Sequence, residues 1–239
     1  MTRSGRVLIW ILLLASSWAP AAEPATSAQK HQESAVRDML RRASTMASGG
    51  DLSGAADLAN DAVNEAEREF GPDELVVADA LAEEARFLEA AGKQEEIQPL
   101  LERVLSIRGS KLKPNDPLLT NTRVNLARLY HYREQYEQAE SLYRQVLATR
   151  EATEAKDNLT VASALHDLAS LLKDEKRYAE AEPLIRRELA IWEDEYGPDH
   201  PNVAFVLESY AAVLRQLPGQ ERKAASVEAR SQRLSESQN

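Results

Sequence analysis

Four histidines are the residues of this chain best suited to metal binding or acid–base catalysis, because the sequence contains no cysteine. The absence of Cys excludes thiolate metal sites, a cysteine nucleophile and disulfide bonds. The spacing of His31, His131, His166 and His200 matches no zinc motif. If His131 and His166 face one groove, they form a two-histidine metal site, an alternative for which the sequence identifies no further ligand. His166 and Asp167 are adjacent, and adjacent residues do not share a helix face, which argues against a catalytic dyad.

Phosphate chemistry is not indicated either. Residues 49–54 are glycine-rich but lack the Lys-Ser/Thr of a phosphate-binding loop and precede no strand. We interpret them as a turn between two helices. The net charge of −10 makes nucleic acid a poor partner. The sequence therefore predicts a non-enzymatic chain with no catalytic residue, no cofactor and no metal ligand.

The elements that carry these residues follow a repeat of 42 residues. Alanine marks the repeat at Ala43, Ala85, Ala127, Ala169 and Ala211. Three positions after each alanine stands a large residue, in order Met46, Leu88, Tyr130, Leu172 and Leu214. A further column in the same register holds Ala55, Ile97, Ala139 and Ala181. Because several columns agree, the chain is predicted to be an internal repeat protein.

Each repeat has the pattern of two helices. In the fourth repeat, apolar residues have helical spacing over 161–174 and again over 178–196, with a polar turn between them. Gly197 and Pro198 end the second helix. Asp116 and Asn158 fall in one column and suit helix N-caps. The sequence predicts an all-α fold of about five antiparallel helix pairs, whose small residues allow close packing and whose apolar faces are buried by stacking.

Two segments, 136–143 and 178–185, resemble the tetratricopeptide repeat. The 42-residue period and the Gly-Pro-Asp-His-Pro linker over 197–201 are similar to the longer repeats of kinesin light chains. The resemblance covers 34–235 and implies a right-handed α-solenoid. Repeats one and two depart from the pattern at Arg42, Glu84 and Gln94, and repeat five needs one extra residue near Gly219 to stay in register.

In proteins of this family, the first helix of each repeat lines a concave groove that binds protein or peptide partners. The resemblance therefore implies a partner-binding surface that includes Asn121, Asn125, Arg128, His131, His166, Asp167, Ser170, Lys173 and Arg215. Asn side chains can both donate hydrogen bonds to an extended peptide and accept them from it. The Arg and Lys side chains can bind an acidic partner or a C-terminal carboxylate. Trp192 is interpreted either as packing against repeat five or as a second partner contact.

The first residues are predicted to lie outside this domain. Residues 1–22 have the pattern of a signal peptide, with Arg3 and Arg6 before an apolar run and a small-residue cleavage site ending at Ala21 or Ala22. An uncleaved N-terminal anchor is the alternative. Residues 23–33 are predicted to be a flexible lead-in and 236–239 a frayed tail. No membrane contact is expected after cleavage, and the predicted location is the periplasm, with secretion as the alternative.

The sequence thus predicts an exported, non-catalytic module that binds a protein or peptide of unknown identity through its concave face. A structural or self-associating subunit that uses Trp192 or the C-terminal helix is the first alternative. A metal-binding or enzymatic helical-repeat protein is the second.

Overall fold

A computed structural model describes residues 27–153 and 158–236. Over these residues the chain forms ten α-helices and no β-strand. In chain order the helices are α1 (Ser27–Ser48), α2 (Leu52–Phe70), α3 (Leu75–Ala90), α4 (Gln94–Lys111), α5 (Pro117–Tyr132), α6 (Tyr136–Thr153), α7 (Leu159–Asp174), α8 (Tyr178–Tyr196), α9 (Pro201–Leu214) and α10 (Glu221–Glu236). Each helix packs on the next along the chain, so five helix pairs stack into a solenoid. The predicted all-α solenoid is confirmed.

The repeated alanines lie where the two helices of a pair come together. Ala43, Ala85, Ala127, Ala169 and Ala211 are each at most 3% exposed. The second column, which is alanine except for Ile97, is also buried, and in repeat five its member is Ala224, one residue later than the strict period. Large side chains such as Leu126 and Leu168 fill the space between pairs and connect most repeats into one core. This alternation of small and large residues is what lets the pairs stack at close range.

Helix ends follow the predicted punctuation. Asp116 and Asn158 cap α5 and α7 by accepting from the backbone N–H two residues further on, at 2.9 and 2.8 Å. Gly71 and Gly197 follow α2 and α8 with φ of 93° and 86°. A positive φ is costly for residues with a Cβ atom, so these two glycines end their helices without strain.

The turn inside every pair contains one residue with a left-handed backbone. These residues are Gly50, Gly92, Glu134, Lys176 and Gly219, with φ between 60° and 93°. The first four are spaced by 42 residues, and Gly219 comes one residue late. The extra residue predicted near Gly219 is therefore located in the turn of repeat five.

The start of the domain differs from the predicted boundary at residue 34. Helix α1 begins at Ser27, so the second half of the predicted lead-in is helical. Residues 25–33 contain no proline or glycine to stop the helix, and Gln32 contacts Glu69 on α2. The predicted signal peptide and residues 237–239 of the predicted tail lie outside the described residues. Within the part of the chain that the structure describes, no helix is both long and apolar enough to cross a membrane.

Candidate functional site

Five of the nine predicted groove residues meet in one cavity on the face of the solenoid formed by α5 and α7, with one wall from α6. This central cavity has a volume of about 460 Å³. Its lining includes five of the predicted residues, Arg128, His131, His166, Asp167 and Ser170, together with Tyr132, Glu134, Tyr136, Tyr143 and Asp174. All five of these predicted residues belong to repeats three and four.

Arg128 and Asp167 form an ion pair across the cavity floor. Arg128 Nη2 donates to both carboxylate oxygens of Asp167, at 3.1 and 3.2 Å. The Asp167 side chain is 12% exposed, whereas that of Arg128 is 57% exposed. Arg128 thus does not stand as a free cation in the groove, but its guanidinium still faces solvent.

His131 is held by three neighbours, one on α7 and two on α6. Its Nε2 lies 2.8 Å from Asp174 Oδ2, and its ring packs edge-on against Tyr136 and Tyr143. Tyr143 is buried, and burial raises the pKa of its phenol well above the usual range. The imidazole therefore forms part of a fixed cavity wall rather than a mobile side chain.

His166 lies on the other side of the cavity, against a buried carboxylate. Its Nδ1 is 3.1 Å from Glu188 Oε1, and Glu188 is 3% exposed. The bond to Glu188 raises the pKa of His166 above 6.5, outweighing the opposite effect of burial. The ring also packs against Phe205 of α9, at 5.7 Å between ring centres.

The two histidines are therefore each bound to a different carboxylate. In residues 27–153 and 158–236, no group of three or more His, Cys, Asp or Glu side chains is placed to hold a metal ion.

The remaining predicted residues lie outside the central cavity. Asn125 lines a second cavity of about 670 Å³ between repeats two and three, which Arg128 and Tyr132 border as well. Asn121 is exposed on α5. Lys173 Nζ donates to Ser209 on α9 at 2.8 Å, and Arg215 pairs with Glu228 on α10 at 2.9 Å. The predicted surface is thus divided among several places along the solenoid rather than gathered in one site.

Two groove residues were not singled out by the sequence. Tyr132 is 77% exposed and borders both cavities. It is the last residue of α5, one position beyond the inward-facing column of the family pattern. Glu188 was missed because it lies on a second helix, α8, and reaches the site only through packing on α7.

Trp192 is half-buried and packs against the core of repeat four. Its ring stacks on Tyr196, which stacks on His200, with ring centres 5.5 and 4.5 Å apart. Tyr196 is 46% exposed. The three rings form an aromatic row at the junction with repeat five.

Comparison with known proteins agrees with this architecture. The family model described as "Tetratricopeptide repeat" matches residues 76–152 and 160–237, more than half of the chain. A search of curated proteins finds no match. The resemblance inferred from the repeat pattern is confirmed by the family model.

Solved structures share the fold at low identity. The nearly identical TPR-like repeats of a kinesin light chain candidate from Podosopora anserina superpose with a TM-score of 0.74 at 22% identity, covering 87% of this chain and 98% of that one. BtubC (BKLC) from P. vanneervenii has a TM-score of 0.70 at 18% identity, covering 90% and 93%. MamA from Desulfovibrio magneticus RS-1 has a TM-score of 0.62 at 13% identity, covering 87% and 97%.

Proposed function

Because the chain belongs to the tetratricopeptide-repeat family, we propose that it is a scaffold whose central cavity binds an extended segment of a protein partner. Tetratricopeptide repeats are generally non-catalytic and mediate protein–protein interaction. In this proposal the chain itself catalyses no reaction, and its groove provides the binding surface.

The observation that supports this proposal is the composition of the central cavity wall. Arg128, Asp167 and Ser170 provide donors and acceptors within one cavity, and Tyr132 and Tyr136 provide apolar surface beside them. Each residue of an extended peptide presents a backbone donor, a backbone acceptor and a side chain. A surface that binds such a peptide therefore needs both polar and apolar groups. The ion pair of Arg128 with Asp167 and the bond of His131 with Asp174 hold the wall in place before a partner arrives, which reduces the entropy lost on binding.

The test is affinity capture with the chain lacking residues 1–22, using an extract of the source cell envelope. A groove variant combines Arg128→Ala, Asp167→Ala and Ser170→Ala, three residues that line the central cavity. A control variant combines Gln138→Ala, Ser141→Ala and Gln145→Ala, three exposed residues of α6. Circular dichroism first establishes that both variants keep their helicity.

We expect a partner that the wild type and the control variant retain and the groove variant loses. Equal retention by all three chains would contradict binding in the groove. Capture of the chain's own copies, with a mass in light scattering that rises with concentration, would favour a self-associating subunit instead. Metal retained after purification and lost on His131→Ala would favour the metal-binding alternative.

We further propose that the chain is exported, with the periplasm as its destination. This proposal rests on the basic, apolar and small-residue pattern of residues 1–22. Mass spectrometry of the protein isolated from its source should find a chain that begins at Ala22 or Glu23. A mature chain that retains Met1 would contradict cleavage.

A further inference from the structure

Glu84 occupies a position at which repeats three to five have a large, mostly apolar residue. The equivalent residues Leu126, Leu168 and Tyr210 are buried in the core, and Glu84 is buried too, at 6% exposed. Its Oε1 accepts a hydrogen bond of 3.0 Å from Asn60 Nδ2. Its Oε2 is shielded from solvent and makes no hydrogen bond to any residue that the structure describes. A buried carboxylate oxygen without a partner is unfavourable for folding, so a donor that enters the adjoining cavity would stabilise the chain if the Glu84 side chain rotates to present this atom.

The carboxylate of Glu84 borders a cavity of about 450 Å³ on the side of the second helices, away from the peptide groove. This acidic notch lies between α2 and α4 with α3 as its floor, and its lining is Ala56, Asp57, Asn60, Asp61, Glu84, Leu88, Lys93 and Glu96. Four carboxylates thus surround the cavity with a single basic residue, Lys93. Burial raises the pKa of Glu84, and the negative charge of the nearby Glu96 raises it further. An incoming positive charge would therefore offset both the burial of the Glu84 carboxylate and its repulsion from Glu96.

The notch is shaped for an organic cation rather than for a metal ion. In the described part of the chain, no three acidic or histidine side chains are gathered around one point as metal ligation requires. The carboxylates instead surround a space large enough for a side chain. A guanidinium group is planar, carries five N–H donors and can bridge two separated carboxylates, whereas an ammonium group is a strongly hydrated point charge.

We propose that the acidic notch binds an arginine side chain of a protein partner, with the Glu84 carboxylate turning toward the cavity and accepting one of its N–H groups. Asp57, Asp61 and Glu96 supply the surrounding negative charge. This surface is separate from the peptide groove, so the solenoid can hold two segments of one partner, or two partners, on opposite faces.

The test uses N-acetyl-L-arginine amide as the probe and N-acetyl-L-citrulline amide as its uncharged counterpart of nearly the same shape. Each is titrated into the ¹⁵N-labelled chain 23–239 and followed by two-dimensional NMR. We expect the arginine probe to shift the signals of Asn60, Asp61 and Lys93 in the millimolar range, and the citrulline probe to leave them unchanged. Glu84→Gln should weaken binding of the arginine probe about tenfold, the loss of one charge-assisted hydrogen bond.

Asp194→Asn removes one exposed carboxylate from α8, far from the notch, and should leave the binding unchanged. If Glu84→Gln does not fold, Asp61→Asn takes its place as the notch variant. Equal affinity in the notch and control variants would overturn the proposal, as would equal shifts from citrulline or shifts confined to other helices. An N-acetyl-L-lysine amide probe that binds as tightly as the arginine probe would overturn the choice of a guanidinium.

Discussion

Single side chains in the groove are fixed by partners from other helices before any ligand is bound. Asp167 holds Arg128, Asp174 holds His131, and Glu188 holds His166. Of these carboxylates, Glu188 is the most buried, and its only hydrogen bond to a titratable group in the described structure is the one to His166. The protonation state of this histidine therefore decides whether a buried negative charge is compensated.

The bond between His166 and Glu188 should make stability depend on pH. The pKa of His166 is raised above 6.5 in the folded chain, so its contribution is fully present below pH 6.5 and is lost as pH rises through the folded value. Glu188→Gln removes the carboxylate responsible. We expect the free energy of unfolding of the wild type, relative to that of Glu188→Gln, to fall as the pH rises through the raised pKa of His166, measured by urea unfolding.

Other groups near His166 must not be mistaken for this effect. Asp167 raises the pKa of His166 and Lys173 lowers it, and both lie on the same helix as His166. Phe205 faces His166 from α9. Asp167 and Lys173 are present in both the wild type and Glu188→Gln, so their effects cancel in the comparison. His31→Gln, at an exposed position on α1, should have the same pH profile as the wild type. A difference between wild type and Glu188→Gln that is constant with pH would contradict the prediction.

Helix pairs depend on one left-handed residue in each turn. Gly92 has a φ of +75° and open space where a Cβ atom would lie, so a substitution there tests backbone strain without steric clash. Gly92→Ala should lower the free energy of unfolding by about 1 kcal/mol. The matched change Gly109→Ala, inside α4 and also in open space, should instead raise it by about 0.8–1 kcal/mol, because alanine favours helix. Chemical denaturation measures both, and an unchanged or higher free energy of unfolding for Gly92→Ala would show that the turn does not require its glycine.

Close packing within a pair depends on the alanine column. Ala127 is completely buried where α5 meets α6. Ala127→Leu adds three carbons to a filled space and should destabilise the chain by about 1–3 kcal/mol. Ala152→Leu, on an exposed part of α6, is the control and should have little effect. An unchanged melting temperature for Ala127→Leu would contradict the assigned register.

Successive repeats are joined along the second helices by a series of ion pairs in one register. Arg103 contacts Glu67, Arg187 contacts Glu151 and Arg230 contacts Glu193. The arginines of the first and last pair also donate to the carbonyl oxygens of Pro72 and Pro198, at 2.8 and 2.9 Å. At the junction of repeats two and three, the equivalent positions hold Gly109 and Gln145, so both partners are replaced together.

Introducing the missing ion pair should strengthen the junction of repeats two and three. The two changes are Gly109→Glu and Gln145→Arg. A double-mutant cycle separates the interaction between the two new side chains from the effect of replacing a helical glycine. We expect a favourable coupling of about 0.2–1 kcal/mol, the range of exposed ion pairs, measured by urea unfolding. Replacing Gln145→Arg by Gln138→Arg, two turns earlier on α6, should give no coupling. A coupling of zero for the first pair would show that the register of the second helices differs at this junction.

The sequence by itself determined the features that repeat at a fixed period. The alanine columns, the N-caps Asp116 and Asn158, and the glycine ends of α2 and α8 each depend on a residue and its near neighbours in the chain. Local pattern therefore predicted the all-α fold, the number of helix pairs and the extra residue in repeat five.

Only the tertiary structure decided which side chains pair with one another. Arg128 and Asp167 are 39 residues apart, His166 and Glu188 are 22 apart, and Glu84 and Asn60 are 24 apart. Each of these contacts joins two helices, so it depends on how the helices pack and on which rotamers fit between them. A polar residue such as Glu84 interrupts the apolar column in the sequence, but its burial and its unpaired oxygen arise only when α2, α3 and α4 come together.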